Sequence, residues 1–184
     1  MQLQSHVYGS WVEGRGGAVA LRDATTGAQI AESSSQGVDF ARVLQHARAR
    51  GGPALREMTF HQRAALIKAL AKRLDGHKEE FYALSTATGA TRKDSWVDID
   101  GGFGTLFVYA SKGARELPNQ HVYIDGPPEA ISKSGTFTGQ HICVPLEGAA
   151  VHINAFNFPV WGMLEKLAPA LLAGVPAIVK PATS

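Results

Sequence analysis

Ala149-Ala150-Val151-His152-Ile153 and Val175-Pro176-Ala177-Ile178-Val179 are two short, mostly apolar runs separated by a segment of different texture. In that segment, Pro159 to Ala173, the residues Met163, Leu164, Leu167, Ala168, Leu171 and Leu172 recur at helical spacing, and Gly174 supplies a left-handed stop. Strand, helix, strand in this order predicts the βαβ unit of a parallel, doubly wound sheet.

Working outward, charge is distributed unevenly. Residues 135–184 carry only Glu147, Glu165, Lys166 and Lys180, so the last quarter of the 184-residue chain reads as interior. The whole chain is 45% apolar and 18% charged, with a net charge of +2 and one cysteine. A single Cys excludes an internal disulfide, and no Cys/His set has zinc spacing; a metal is not expected, and a reducing, cytoplasmic setting is. The 18 basic and 16 acidic residues are scattered without a Lys/Arg block, which argues against nucleic acid as a partner. No stretch approaches the roughly 18 uninterrupted apolar residues of a membrane span, and the N-terminus lacks a signal-like apolar run, so Met1 reads as the start or close to it.

Upstream, Thr59-Phe60-His61-Gln62 has the form of a capping box, followed by Phe60, Ala64, Ile67, Ala71 and Leu74 at helical spacing. A second helix is expected over 77–88, with Phe81, Leu84 and Thr88 on one side and Gly89 as its C-terminal stop. Trp96, Ile99, Phe103, Leu106, Phe107 and Ala110 mark a third apolar stripe, whose interrupting glycines 101, 102 and 104 suit close packing against a neighbouring backbone. Gly16-Gly17, Gly51-Gly52-Pro53 and Gly126-Pro127-Pro128 read as turns. After Pro118 the chain predicts an antiparallel arm from Val122–Ile124 and Gly135–Val144. Cys143 lies in that arm and is expected to be a buried or arm-packing thiol, not a nucleophile. His152 and His141 read as satisfied packing histidines, and His46, His61 and His77 as surface residues. Asp98 and Asp100 read as solvated or capping.

The linked pieces Gly148-Ala149-Ala150-Val151-His152-Ile153-Asn154-Ala155-Phe156-Asn157-Phe158-Pro159, Glu165-Lys166-Leu167-Ala168-Pro169-Ala170-Leu171 and Val179-Lys180-Pro181-Ala182 resemble the opening of the cofactor domain of the aldehyde dehydrogenase superfamily. Gly52-Pro53-Ala54-Leu55-Arg56, Ala87-Thr88-Gly89-Ala90-Thr91 and Asp94-Ser95-Trp96-Val97-Asp98-Ile99-Asp100-Gly101-Gly102 are similar to its phenylacetate-degradation branch, which oxidises CoA-linked semialdehydes. The resemblance implies an α/β, aldehyde dehydrogenase-like fold: an N-terminal helical part of the cofactor-binding domain (1–118), a β-arm for oligomerisation (119–147), and the truncated start of a Rossmann-like NAD(P)-binding core (148–184). It further implies that the chain is the N-terminal part of a longer enzyme and inactive alone. A homo-oligomer through the arm and a hydratase-like domain further along the chain are the implied partners.

Site roles follow from the same resemblance. Asn157 would donate its side-chain amide to the oxyanion that forms during aldehyde oxidation, a neutral donor suited to developing negative charge. Taken from the residues alone, Asn157 could equally cap the helix that begins near Pro159. Ile153, Asn154, Ala155 and Phe156 would lie along the cofactor by their backbone. Lys180 would reach the adenosine ribose, with Ala182 and Thr183 beside it. Thr183 stands where many NAD-preferring members carry Glu, so NADP is the first expectation and NAD the second. The nucleophilic Cys and the general-base Glu are expected outside this chain. The benzoyl-CoA-pathway semialdehyde dehydrogenases are a second branch with much of the same pattern; a non-catalytic dinucleotide-binding or assembly module is the alternative if the chain is complete in itself.

Overall fold

The computed structural model describes residues 1–182. Four strands come first: β1 (Gln4–Val7), β2 (Ser10–Glu13), β3 (Val19–Arg22) and β4 (Gln29–Ser33). Helix α1 (Phe40–His46) runs through a π-helical stretch, Ala47–Gly51, into α2 (Gly52–Arg56). Then follow α3 (Phe60–Asp75), α4 (Lys78–Ser85), α5 (Arg92–Glu116), β5 (Tyr123–Ala130), β6 (Thr138–Cys143), β7 (Ala150–Ile153), α6 (Pro159–Leu172) and β8 (Ala177–Lys180). Among the described residues no helix is long and apolar enough to cross a membrane.

The two N-terminal hairpins are an element that the sequence reading, which expected helical structure over 1–118, did not contain. Tyr8 and Gly9 close β1 on β2, both with positive φ, as a two-residue hairpin turn requires. Between β3 and β4, Asp23 accepts hydrogen bonds from the backbone of Thr25 and Thr26, and Gly27 takes the left-handed conformation.

The core is helical. Thr59 and Gln62 form the expected reciprocal capping box at the start of α3, and Thr91 with Asp94 forms a second at the start of α5. The 25-residue helix α5 packs against α3, α4 and α6. Ile67 and Ala71 of α3, Ile99, Phe103, Leu106 and Ala110 of α5, and Leu164, Ala168 and Leu172 of α6 form one buried cluster. Burying each large aliphatic side chain contributes about 1.5–3 kcal/mol, so this cluster is what fixes α6 against the rest of the chain. Of glycines 101, 102 and 104 in α5, only Gly102 meets a neighbouring backbone as expected, and Gly101 packs on a side chain instead. A Cβ on Gly102 would stand 3.1 Å from the backbone of Trp161, and one on Gly101 would stand 3.1 Å from its ring, whereas Gly104 faces open space.

Several expectations are corrected. In α4 the buried residue is Tyr82, and Leu84 points outward; the hydroxyl of Tyr82 donates to Asp100 at 2.6 Å, so one polar bond lets a phenol take the inward position. Trp96 is likewise exposed. Gly51-Gly52-Pro53 is helical and not a turn, with Pro53 in the first turn of α2, directly after the π-helical stretch. Gly126-Pro127-Pro128 lies inside β5, at the register shift between Asp125 and Glu129, because prolines cannot donate to the ladder and the strand bulges around them. The arm itself is antiparallel, pairing Tyr123 with Cys143 and Ala130 with Thr138. Cys143 is exposed there, not buried, since a two-stranded ribbon has no covered face of its own.

Strands β7 and β8 are parallel, in register from Ala150 opposite Ala177 to Ile153 opposite Lys180, and α6 connects them as a βαβ unit. Val151 and Ile153 are exposed while His152 is buried. The charge-poor last quarter is therefore not interior within this chain: only the sheet face toward α6 is covered.

Candidate functional site

The C-terminal ends of β7 and β8 lie side by side, and the backbone N–H of Asn154 donates to the carbonyl of Lys180 at 3.1 Å, extending the ladder by one residue. Ligands of open α/β sheets bind at such strand ends. From this edge the chain runs through Ala155, Phe156 and Asn157, all exposed, before entering α6.

Two buried anchors hold this loop. At its start, Asn154 is 7% exposed, and its Oδ1 accepts from Lys166 Nζ at 3.2 Å; Lys166 also donates to the carbonyl of Gly162 one turn back in α6. The Asn154 side chain thus turns inward and leaves only its backbone to a ligand. Its Nδ2 and the Nδ1 of His152, two residues back on the same strand face, are buried without hydrogen-bond partners. His152 is therefore buried as expected but not satisfied. Burial, with the Lys166 ammonium as a second cause, pushes its imidazole below the usual histidine range and keeps it neutral.

At the loop's other end stands Asp98 of α5. Its Oδ1 accepts from the backbone nitrogen of Trp161 at 2.7 Å and from that of Val160 at 3.1 Å, and its Oδ2 lies 3.2 Å from Val160 N. Pro159 has no N–H, and Gly162 N already donates to Phe158 O at 2.9 Å. One carboxylate therefore satisfies the unpaired amides in the first turn of α6. Burial pushes the Asp98 carboxyl up, and the bonds from Trp161 and Val160 oppose that shift. Phe158 is the N-cap residue and makes no side-chain cap. The alternative reading of Asn157 as the helix cap is excluded: that position belongs to Phe158 and that work to Asp98.

Asp98 is thus a cap, but for a helix 62 residues further along the chain, and no local signal could have paired the two. Asp100 is neither solvated nor capping. It accepts from Lys78 Nζ at 2.7 Å and from Tyr82, and although burial pushes its carboxyl up, these bonds outweigh it and hold the group below its ordinary range. Lys166 has a role that its motif does not announce, although it is one of only four Asp, Glu, Lys or Arg residues in 135–184. His141 is exposed in the arm, and His61 meets the carbonyl of Leu117 at 2.9 Å instead of lying free on the surface.

Lys180 is exposed at the end of β8, followed by exposed Pro181 and partly covered Ala182; Thr183 lies outside the described residues. Ile153 stands opposite Lys180 in the register, and the exposed Ala155 and Phe156 follow on the loop, so the side chains at this end supply a cation and no carboxylate, which fits an anionic dinucleotide.

The model of the aldehyde dehydrogenase family matches residues 11–184. The chain belongs to the aldehyde dehydrogenase family. It is 46% identical over its whole length to the 3,4-dehydroadipyl-CoA semialdehyde dehydrogenase of Aromatoleum evansii, and covers 36% of that protein. It is 25% identical over 98% of its length to the NADP(+) succinate-semialdehyde dehydrogenase GabD of Escherichia coli strain K12, again covering 36%. In fold it is similar to aldehyde dehydrogenase 21 of Physcomitrella patens, solved with the reaction product succinate, at a TM-score of 0.81 and 24% identity over 98% of this chain and 37% of that one. The chain spans about a third of the length of the aldehyde dehydrogenases it matches.

Proposed function

We propose that this chain is the N-terminal part of an NAD(P)-dependent aldehyde dehydrogenase that oxidises a CoA-linked semialdehyde to the acid in the degradation of aromatic compounds, phenylacetate first among them. The observation that carries the reading is the position of Asn157: an exposed carboxamide on the loop beyond β7, beside the strand end that bears Lys180, in a helix entry where the capping is done by another residue. A neutral donor held there suits the oxyanion of a thiohemiacetal, and a carboxylate would repel it. The 46% identity to a CoA-semialdehyde dehydrogenase supports the substrate class.

Within this reading, the backbone of residues 153–156 and the side chain of Lys180 hold the dinucleotide, with Ala182 and Thr183 beside it. The bound nicotinamide supplies a hydride acceptor. NADP is the first choice and NAD the second, because an ammonium at the end of β8 can pair with a 2′-phosphate and no carboxylate stands at 183 to repel it. The nucleophilic Cys and the general base belong to the remainder of the enzyme; Cys143 sits in the arm. Homo-oligomerisation through the arm, a hydratase-like domain further along and a cytoplasmic location complete the proposal.

The benzoyl-CoA branch is a second reading, and the relative at 46% identity, named for 3,4-dehydroadipyl-CoA semialdehyde, favours a dehydroadipyl-CoA semialdehyde as substrate. Turnover of CoA-linked semialdehydes of graded chain length separates the two. In the full-length enzyme, Asn157→Ala is expected to lower turnover by about 10²–10³ while dinucleotide affinity is retained; unchanged turnover would remove Asn157 from the site.

A further inference from the structure

The four-residue entry to α6 presents an unusual division of labour. A loop followed by Pro159 would ordinarily recruit a side chain at or next to the N-cap to satisfy the first amides of the helix, and Asn is among the residues best suited to that task. Here the local candidate, Asn157, is not used, and the amides of Val160 and Trp161 are met instead by a carboxylate from a different helix. The support under that carboxylate is stiff. Asp98 is 4% exposed on the buried face of α5, one turn before Gly102, whose missing side chain lets the Val160–Trp161 backbone approach.

We propose that Asp98 is a positioning residue for aldehyde oxidation: by clamping the first turn of α6 from α5 it fixes the place of Asn157 and leaves the Asn157 carboxamide available to substrate. This rests on the reading of Asn157 as the oxyanion donor. Both N–H groups reach Oδ1, and Val160 N also lies 3.2 Å from Oδ2. Asn in place of Asp98 would keep Oδ1 but lose the charge and turn an NH2 toward the Val160 N–H, loosening the clamp at that amide. The first turn would then swing toward a local cap, with Asn157 the nearest group that can supply one. Such a displacement acts on the step in which charge develops on oxygen and not on dinucleotide binding, and a shift of about 1 Å at a reacting group costs on the order of 10²-fold.

The test is a double-mutant cycle in the full-length enzyme with Asp98→Asn, Asn157→Ala and the pair, reading kcat and dinucleotide Kd. Asp98→Asn is expected to lower kcat about 10- to 100-fold with dinucleotide Kd within about twofold, and to have no further effect once Asn157 is Ala. If Asp98→Asn lowers kcat by the same factor in both backgrounds, or leaves kcat unchanged, the proposal is overturned while the role of Asn157 stands. If Asn157→Ala alone leaves kcat intact, the oxyanion reading fails and takes this inference with it. Asp98→Glu, which keeps the charge but displaces it by a methylene, is the second variant and is expected to show the same non-additivity. Failure of both variants to accumulate as folded enzyme would assign Asp98 to folding and overturn the proposal.

Discussion

Gly102 of α5 lies directly beneath the backbone of Trp161 in α6: a Cβ at position 102 would stand 3.1 Å from both the nitrogen and the Cα of Trp161. The two helices can approach this closely only because the side chain is missing, and the approach is what brings Asp98, one turn earlier, within 2.7 Å of the Trp161 amide.

Gly102→Ala is therefore expected to destabilise the enzyme by about 1–3 kcal/mol, since the atoms it meets are backbone held in place and cannot rotate away. Gly104→Ala, two residues on and facing open space, serves as the internal control. It is expected to stabilise by about 0.5–1 kcal/mol through helix propensity. Thermal denaturation of the two variants side by side measures the contrast, and equal shifts would refute the packing role.

The two capping boxes give a local prediction. Thr59→Ala and Thr91→Ala each remove the acceptor for a first-turn amide, and each is expected to cost about 1 kcal/mol. Each hydroxyl also donates at 2.6 Å, that of Thr59 to Asn119 and that of Thr91 to Asp94, so the two losses should be similar. Denaturant titrations should show a lower midpoint at constant slope.

His152 makes stability depend on pH. Its folded-state pKa is depressed below the ordinary 6.5, so between the two values the unfolded chain binds a proton that the folded chain refuses. The stabilisation is fully present above about pH 6.5 and is lost as pH falls through the folded value. Melting temperature should therefore fall between pH 7 and pH 5. The His152→Gln enzyme, which has nothing to protonate there, should lose less over the same interval; parallel curves would exclude His152 as a cause.

Lys180 should discriminate between cofactors. If its ammonium meets a 2′-phosphate, Lys180→Ala weakens NADP by about 10- to 100-fold, the loss of one charge-assisted bond, and NAD by less. Equilibrium binding of both dinucleotides to the full-length variant decides this, with equal losses counting against the phosphate contact.

What could be read from the sequence was local or periodic. The Thr59–Gln62 box, the α6 stripe ended by Gly174 and the two apolar runs at 149–153 and 175–179 announce themselves within a few residues. The N-terminal hairpins did not, because strands of four or five residues, mostly exposed, carry no alternation strong enough to read. The inward face of α4 was not legible either, because a Tyr suits either side until Asp100, 18 residues away, provides a partner. The anchoring of the candidate site was hidden for the same reason. Asp98 and Trp161 are 63 residues apart, and no pattern in either neighbourhood points to the other.

The prolines inside β5 have an outcome for assembly. Pro127 and Pro128 present no N–H, and the pairing with β6 breaks across Gly126, Pro127 and Pro128, so the arm is two short zippers joined by a hinge poor in donors. A further strand aligning with β5 can dock on the Tyr123–Asp125 side or on the Glu129–Ala130 side, but it cannot run continuously through both. An arm with exposed Ile124, Ile131 and Ile142 is thereby denied the long uninterrupted edge from which indiscriminate sheet growth starts, and retains short ones on which a partner must fit in a defined register.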